Sequence, residues 1–193
     1  MSSLYPTILG SYRQSWTTGA VTTIAAGTGT AGHILALRHA TAGRGTMLKS
    51  LEVSFLLTTA FGAAQRVGFD VSIVRAYTDA HTAATGTALT VTGGGKNSGS
   101  GAPSLTGRIA SAAALTAHAS PPTFDTNPIA KDSFYASAIG AKLGPLFYDF
   151  SGGDTKGILL QNQEGIVVRN LILMGATGVG EWVFTAEWDE VAV

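Results

Sequence analysis

Gly180-Glu181-Trp182-Val183-Phe184-Thr185-Ala186-Glu187-Trp188-Asp189-Glu190 decides the fold class. The even positions Trp182, Phe184, Ala186 and Trp188 are apolar, while Glu181, Thr185, Glu187 and Asp189 fall on the other side. Period two is the signature of a strand with one face in a core and one in water. Two tryptophans on a single face demand a substantial core. A second apolar strand precedes this one in Glu164 to Met174, and the turn Met174-Gly175-Ala176-Thr177-Gly178-Val179-Gly180 separates the two.

Working outward, the same alternation recurs. Between Met47 and Thr58 the odd positions Met47, Leu51, Val53, Phe55 and Leu57 are apolar, with Lys49 the one misfit, and Glu52 and Ser54 lie opposite. Gln65 to Tyr77 places Val67, Phe69, Val71 and Ile73 on one side and Arg66, Asp70 and Ser72 on a side expected to be wet. Six residues, Thr59 to Ala64, join the two runs; this is too short for a stable helix and predicts an antiparallel pair. Further strands are predicted at 11–18, 20–25, 33–39, 87–92, 112–119, 134–139, 156–160 and 165–174, separated by Gly, Pro, Asn and Asp clusters. Spacing of this kind reads as all-β. The Ala-rich stretch Arg108–Ala119 is the best helical alternative, but its interleaved Thr, Ser and His favour strand or loop.

The 193 residues suit one domain, with 1–29 an N-terminal arm or first strands and 30–193 a single antiparallel β-sandwich. Gly93 to Gly101 (GGGKNSGSG) is a low-complexity segment, expected to be a mobile surface loop within the domain and not a linker. Three prolines at 121, 122 and 128 argue against interior ladder pairing in that region, which Phe124 could pin to the core.

Charged residues make up 12% of the chain, about half the usual share, so the surface is suited to packing against neighbours. The formal net charge is zero but unevenly spread: residues 1–110 hold eight Lys/Arg and three Asp/Glu (+5), and residues 111–193 hold four and nine (−5). The cations are scattered singly, which disfavours nucleic-acid binding and leaves docking of unlike faces in an oligomer open. With no cysteine there is no disulfide framework and no thiolate metal site. No charged-then-apolar leader and no run of eighteen apolar residues occurs, so a soluble protein without a secretion signal or membrane partner is expected.

Motifs that carry chemistry are weak. Gly27-Thr28-Gly29-Thr30-Ala31-Gly32 matches the dinucleotide fingerprint, with Glu52 at the ribose spacing. That site requires a helix after the last glycine, whereas His33-Ile34-Leu35-Ala36-Leu37 reads as a strand, so a Gly/Thr loop is expected. His33, His39, His81 and His118 show no metal-ligand spacing. The carboxylates Asp149, Asp154 and Glu164, or Glu187 and Asp189, are catalytic candidates only by default; the last two more simply keep the outer side of a strand soluble. There is no G-x-S-x-G elbow. No enzyme activity, cofactor or metal is expected. Tyr5, Tyr12, Arg13 and Trp16 are candidate interface residues, since Tyr, Trp and Arg dominate interface hot spots. The alternative, that Tyr12 and Trp16 are first-strand core residues, stands beside it.

The order of segments is also similar to a family of tailed-bacteriophage virion structural proteins. The resemblance is carried by His33–Arg38, Leu51–Phe55, Thr58–Phe61, Gln65–Asp70, Glu164–Asn170, Met174–Val179 and Val183–Trp188, across roughly residues 30–193. It implies a jelly-roll-like β-sandwich that forms a homo-oligomer, most often a trimer, and carries no catalytic residues. The function implied is that of a capsid decoration (cement) protein, made in the host cytoplasm and placed on the capsid surface of the virion, where it binds and stabilises the major capsid protein shell. A tail or head spike module that binds host-surface glycan or receptor, through loops at 93–101 and 120–128, is the alternative.

Overall fold

The computed structural model describes residues 7–22, 32–77, 86–92, 94–95, 101–111, 115, 122–152, 157–175 and 177–193. In chain order the strands are β1 (Ile8–Thr17), β2 (Val21–Thr22), β3 (His33–His39), β4 (Arg44–Thr59), β5 (Gln65–Ala76), β6 (Thr87–Leu89), β7 (Gly94–Gly95), β8 (Leu105–Ile109), β9 (Thr123–Phe124), β10 (Ala130–Ala136), β11 (Lys142–Asp149), β12 (Ile158–Leu160), β13 (Gly165–Asn170) and β14 (Val179–Ala192). The described residues contain no α-helix.

These strands form two antiparallel sheets. The first runs β11-β4-β14-β1-β7, with β12 on β4 and β2 on β14; the second runs β10-β5-β13-β3-β8-β6, with β9 on β5. Along the chain, β1, β3, β4 and β5 alternate between first and second sheet, as do β10, β11, β13 and β14 in the opposite sense. The spatial order β1-β14-β4-β11 facing β3-β13-β5-β10 is that of a jelly roll, two nested Greek keys closed into a double sheet. β1 is therefore an integral strand of the first sheet, between β14 and β7.

This topology corrects the expected pairing of β4 with β5. They lie in opposite sheets, and residues 60–64 cross between sheets instead of closing a hairpin. Alternation states which face of each strand is apolar, and two such faces satisfy it equally well side by side or across a core. Phe61, buried in the corner, anchors the crossing. A Cβ at Gly178 would collide with the Phe61 ring, and one at Gly180 with the Phe55 ring, so both glycines are needed for the close approach of chain to aromatic ring.

The core lies between the sheets. β14 contributes Trp182, Phe184, Ala186 and Trp188, β4 contributes Leu48, Leu51, Val53, Phe55 and Leu57, and Val67, Phe69, Val71, Ile166 and Val168 close it from β5 and β13. Trp182 meets Phe55 at 4.7 Å and Phe69 at 5.6 Å between ring centroids, the tilted and edge-on arrangements that the ring quadrupole prefers. The misfit Lys49 is a β-bulge: the register slips between Glu187 and Trp188 of β14, where two residues of β4 oppose one. Beyond the bulge the inward phase on β4 passes from odd to even positions, so Leu48 and not Met47 is buried. Lys49 then meets Asp189 at 2.6 Å.

Candidate functional site

Of the proposed N-terminal interface residues, Tyr12 and Trp16 face inward. Both stack on Trp188, at 5.5 Å and 6.2 Å between ring centroids, and both are buried. The Tyr12 hydroxyl donates to the Gly101 carbonyl at 2.9 Å. Burial, helped by the Glu190 carboxylate, raises its phenol pKa above the usual value. Their side chains thus fill the first-strand core, the alternative reading of the sequence. Arg13 is exposed on the outer face, opposite Glu187 in register, and Tyr5 lies outside the described residues.

Among the described residues, the catalytic candidates by default do not converge. The exposed Asp149 carboxylate accepts from the amide and hydroxyl of Ser151 at 2.8 and 2.6 Å, which lowers its pKa. Glu164 accepts from the Gln161 amide at 2.8 Å and meets Arg75 at 3.3 Å. Asp189 is buried against Lys49, contrary to the expectation that it keeps an outer face wet. Asp154, His81, His118 and residues 27–31 of the glycine motif lie outside the described residues. His39 is buried, with Nδ1 2.8 Å from the Thr46 hydroxyl and Nε2 2.8 Å from the Thr41 carbonyl. His33 packs edge-on against Phe124 at 5.6 Å. Among the described residues, Asp149, Glu164, Asp189, His33 and His39 each have their own local contacts, and no two of them face one gap.

Two buried charged groups escaped sequence reasoning. Arg169 on β13 grips Asp70 on β5 through Nε at 2.8 Å and Nη2 at 2.6 Å, and Nη2 also donates to Ser72 Oγ at 2.8 Å. Phe124 lies over the guanidinium, 4.8 Å from the ring centroid. Together with Val74, Tyr77, Leu115 and Val167 this makes a second buried cluster on the outer side of the second sheet. At Asp70 and Ser72 the polar side of β5 is therefore covered, not wet, while Arg66 stays exposed: β9 continues the pairing of β5 where β10 stops, and it brings Phe124 down as a lid. The second group is Glu190, fully buried, which accepts from the amide and hydroxyl of Ser104 and lies 3.6 Å from Arg44. It ties β14 of one sheet to the lead-in of β8 in the other. Of the 93–101 segment, Gly94 and Gly95 pair with β1.

Among the described residues, two open surfaces carry exposed rings. The outer face of the first sheet carries Leu56 and Val183 next to Glu52, Ser54 and Thr185, and at its β11 edge Phe147 stands 64% exposed, directly across from Glu52. On the opposite side of the molecule, Arg66, Lys131, Asp132, Ser133 and Leu171 line a hollow of about 310 Å³. Arg66 Nε donates to Ser133 Oγ at 2.8 Å, and Tyr135, 66% exposed, faces Arg66 in the β10–β5 register.

No protein-family model matches the chain, and no curated protein matches it. Among solved structures it is similar to VP1 of Merkel cell polyomavirus in complex with disialyllactose, at 6% identity and a TM-score of 0.37 over 98% of this chain and 99% of that one. It is also similar to VP1 of trichodysplasia spinulosa-associated polyomavirus in complex with sialylated precision glycooligomers, at 10% identity and a TM-score of 0.35 over 96% and 97%. A third likeness is to an activated KBV particle at acidic pH, at 12% identity and a TM-score of 0.28 over 98% of this chain and 71% of that one. TM-scores this low carry no argument; the jelly roll stands on the strand order alone.

Proposed function

We propose that the protein is a structural component of a virus particle, a capsid decoration protein that binds the major capsid shell, stabilises it without catalytic turnover and works as a homo-oligomer, with a trimer the simplest form. The observation that carries this reading is the open outer face of the first sheet, where Leu56 and Val183 are exposed beside Ser54 and Thr185 on a jelly-roll scaffold. The topology recurs in viral capsid and lectin domains, and the resemblance of residues 30–193 to tailed-phage virion proteins points to the first. A sheet face that presents apolar side chains to the outside suits repeated burial against copies of a shell protein, and repetition over a symmetric shell adds avidity without further contacts.

Purified protein incubated with capsids that lack it should co-sediment with them and raise their thermal stability. Leu56→Glu should abolish both effects while leaving the isolated fold intact. A protein that never co-sediments and is absent from purified particles overturns the reading. A spike module that binds a host-surface glycan has one observation in its favour: exposed Tyr135 beside Arg66 and Ser133 supplies a ring and hydrogen-bond donors of the kind that hold saccharides. Retention on a glycan array that is lost in Tyr135→Ala would support it.

A further inference from the structure

We propose that copies of this chain associate head to tail, the Phe147 ring of one copy seated in the hollow lined by Arg66, Lys131 and Leu171 on the next. Phe147 projects from the outer face of the first sheet and is 64% exposed. The hollow, about 310 Å³, opens on the outer side of the second sheet and admits a phenyl ring. Its chemistry matches the ring and its surroundings: Leu171 offers an apolar wall, and two cations, Arg66 and Lys131, stand against one acid, Asp132. Among the described residues no carboxylate lies within ion-pair range of Arg66 or Lys131.

The knob has the complementary sign. Glu52 lies directly across the strand pair from Phe147, and Asp149 lies two residues further along β11. Docking therefore brings Glu52 toward Arg66 and Lys131 as the ring meets Leu171, and a cation beside the ring face adds attraction. The uneven charge of the chain, +5 over residues 1–110 and −5 over 111–193, does not locate this contact, because Glu52 and Arg66 both lie in the positive half. The local arrangement of side chains does.

Knob and hollow belong to opposite sheets, so one pair of copies cannot satisfy both contacts reciprocally. A contact of this kind is heterologous: it closes into a ring if the rotation allows and otherwise propagates as a chain. The inference rests on the chain's own surfaces and not on capsid binding, and the two are read by separate measurements.

Two variants of the full chain test it: Phe147→Ala, which removes the knob, and Arg66→Glu with Lys131→Glu, which spoils the hollow. All three positions are at the surface, and circular dichroism and melting should match the native chain. In sedimentation velocity over a concentration series the native chain should associate, and each variant alone should lose at least about tenfold in association constant, as expected for an interface anchor. Mixed one to one, the variants should form a heterodimer that grows no further, because the intact hollow of one receives the intact knob of the other. Adding Glu52→Lys to the Arg66→Glu, Lys131→Glu chain should restore self-association. If either variant fails to fold, Phe147→Ser and Leu171→Glu replace them. A native chain that stays monomeric at every concentration overturns the proposal. So do variants that associate like the native chain, and so does a mixture of defective variants that stays monomeric.

Discussion

The outer faces of the two sheets begin from the same sequence pattern and meet opposite fates. On β14 the residues that alternate with the core, Glu181, Val183, Thr185 and Glu187, lie on an open surface. On β5 the equivalent residues Asp70 and Ser72 are buried, and Arg169, with Phe124 over its guanidinium, compensates the charge. Polar alternation thus marks a residue as outside its own sheet's core, which is not the same as wet. The covered side is committed to holding the molecule together. The open side is left for a neighbour, and so is the uncovered part of the second sheet around Arg66 and Tyr135.

The comparison breaks most visibly at the buried ion pair. Arg169→Ala leaves Asp70 charged and covered, and loss of one partner of a buried pair costs about 3–5 kcal/mol; the same truncation on the open face, Glu52→Ala, should stay within about 0.5 kcal/mol. Urea denaturation of the two variants compares them directly, and equal midpoints would refute the contrast. Replacing the pair together, Asp70→Leu with Arg169→Met, should recover most of the loss, because an apolar pair leaves no charge uncompensated.

A smaller effect is expected from the lid. Phe124→Ala removes apolar cover from the second cluster and should cost about 1.5–3 kcal/mol, the range for withdrawing a large apolar side chain from its site. Phe147→Ala on the open side should leave the melting temperature within a few degrees while changing association. Calorimetry of both variants sharpens the distinction between cover and contact.

The smallest effect concerns Tyr12. Its phenol pKa is raised by burial, so the folded state holds the proton more tightly than the unfolded chain. The stability this contributes is fully present below the unfolded phenol value of about 10 and is lost as pH rises through the folded value. Stability curves should therefore fall above about pH 10, and less steeply in Tyr12→Phe, which keeps the ring stacked on Trp188.

Much of this fold was legible in the sequence. The alternation of Trp182, Phe184, Ala186 and Trp188 located β14 and its inner face, and β3 begins and ends at His33 and His39 as read. Strand partners were not legible, because alternation fixes a face and not a neighbour; β4 and β5 face each other across the core for that reason. β11 was missed because Gly144-Pro145 interrupts it. Proline is tolerated there since β11 lies at a sheet edge, where one side of the strand needs no ladder partner.

The candidate surfaces were hidden by the same physics. Leu146-Phe147-Tyr148 is an unbroken apolar run, and only the register, Leu146 on Val53 and Phe147 on Glu52, shows which ring points outward. Tyr12 and Trp16 read equally as anchors or core until Trp188 was placed beneath them. Nothing local to Asp70 signals a cover, because Phe124 arrives from more than fifty residues away in the chain.

Hydroxyl-radical footprinting of the native chain, read residue by residue by mass spectrometry in dilute and in associated protein, tests the central claim most directly. The open face should be the working one. Phe147 and Leu56 should be modified readily in dilute protein and protected on association, with Tyr135 and Leu171 protected alongside, while Phe124 and Trp182 stay shielded in both. Unchanged labelling of Phe147 and Leu56 on association would contradict it.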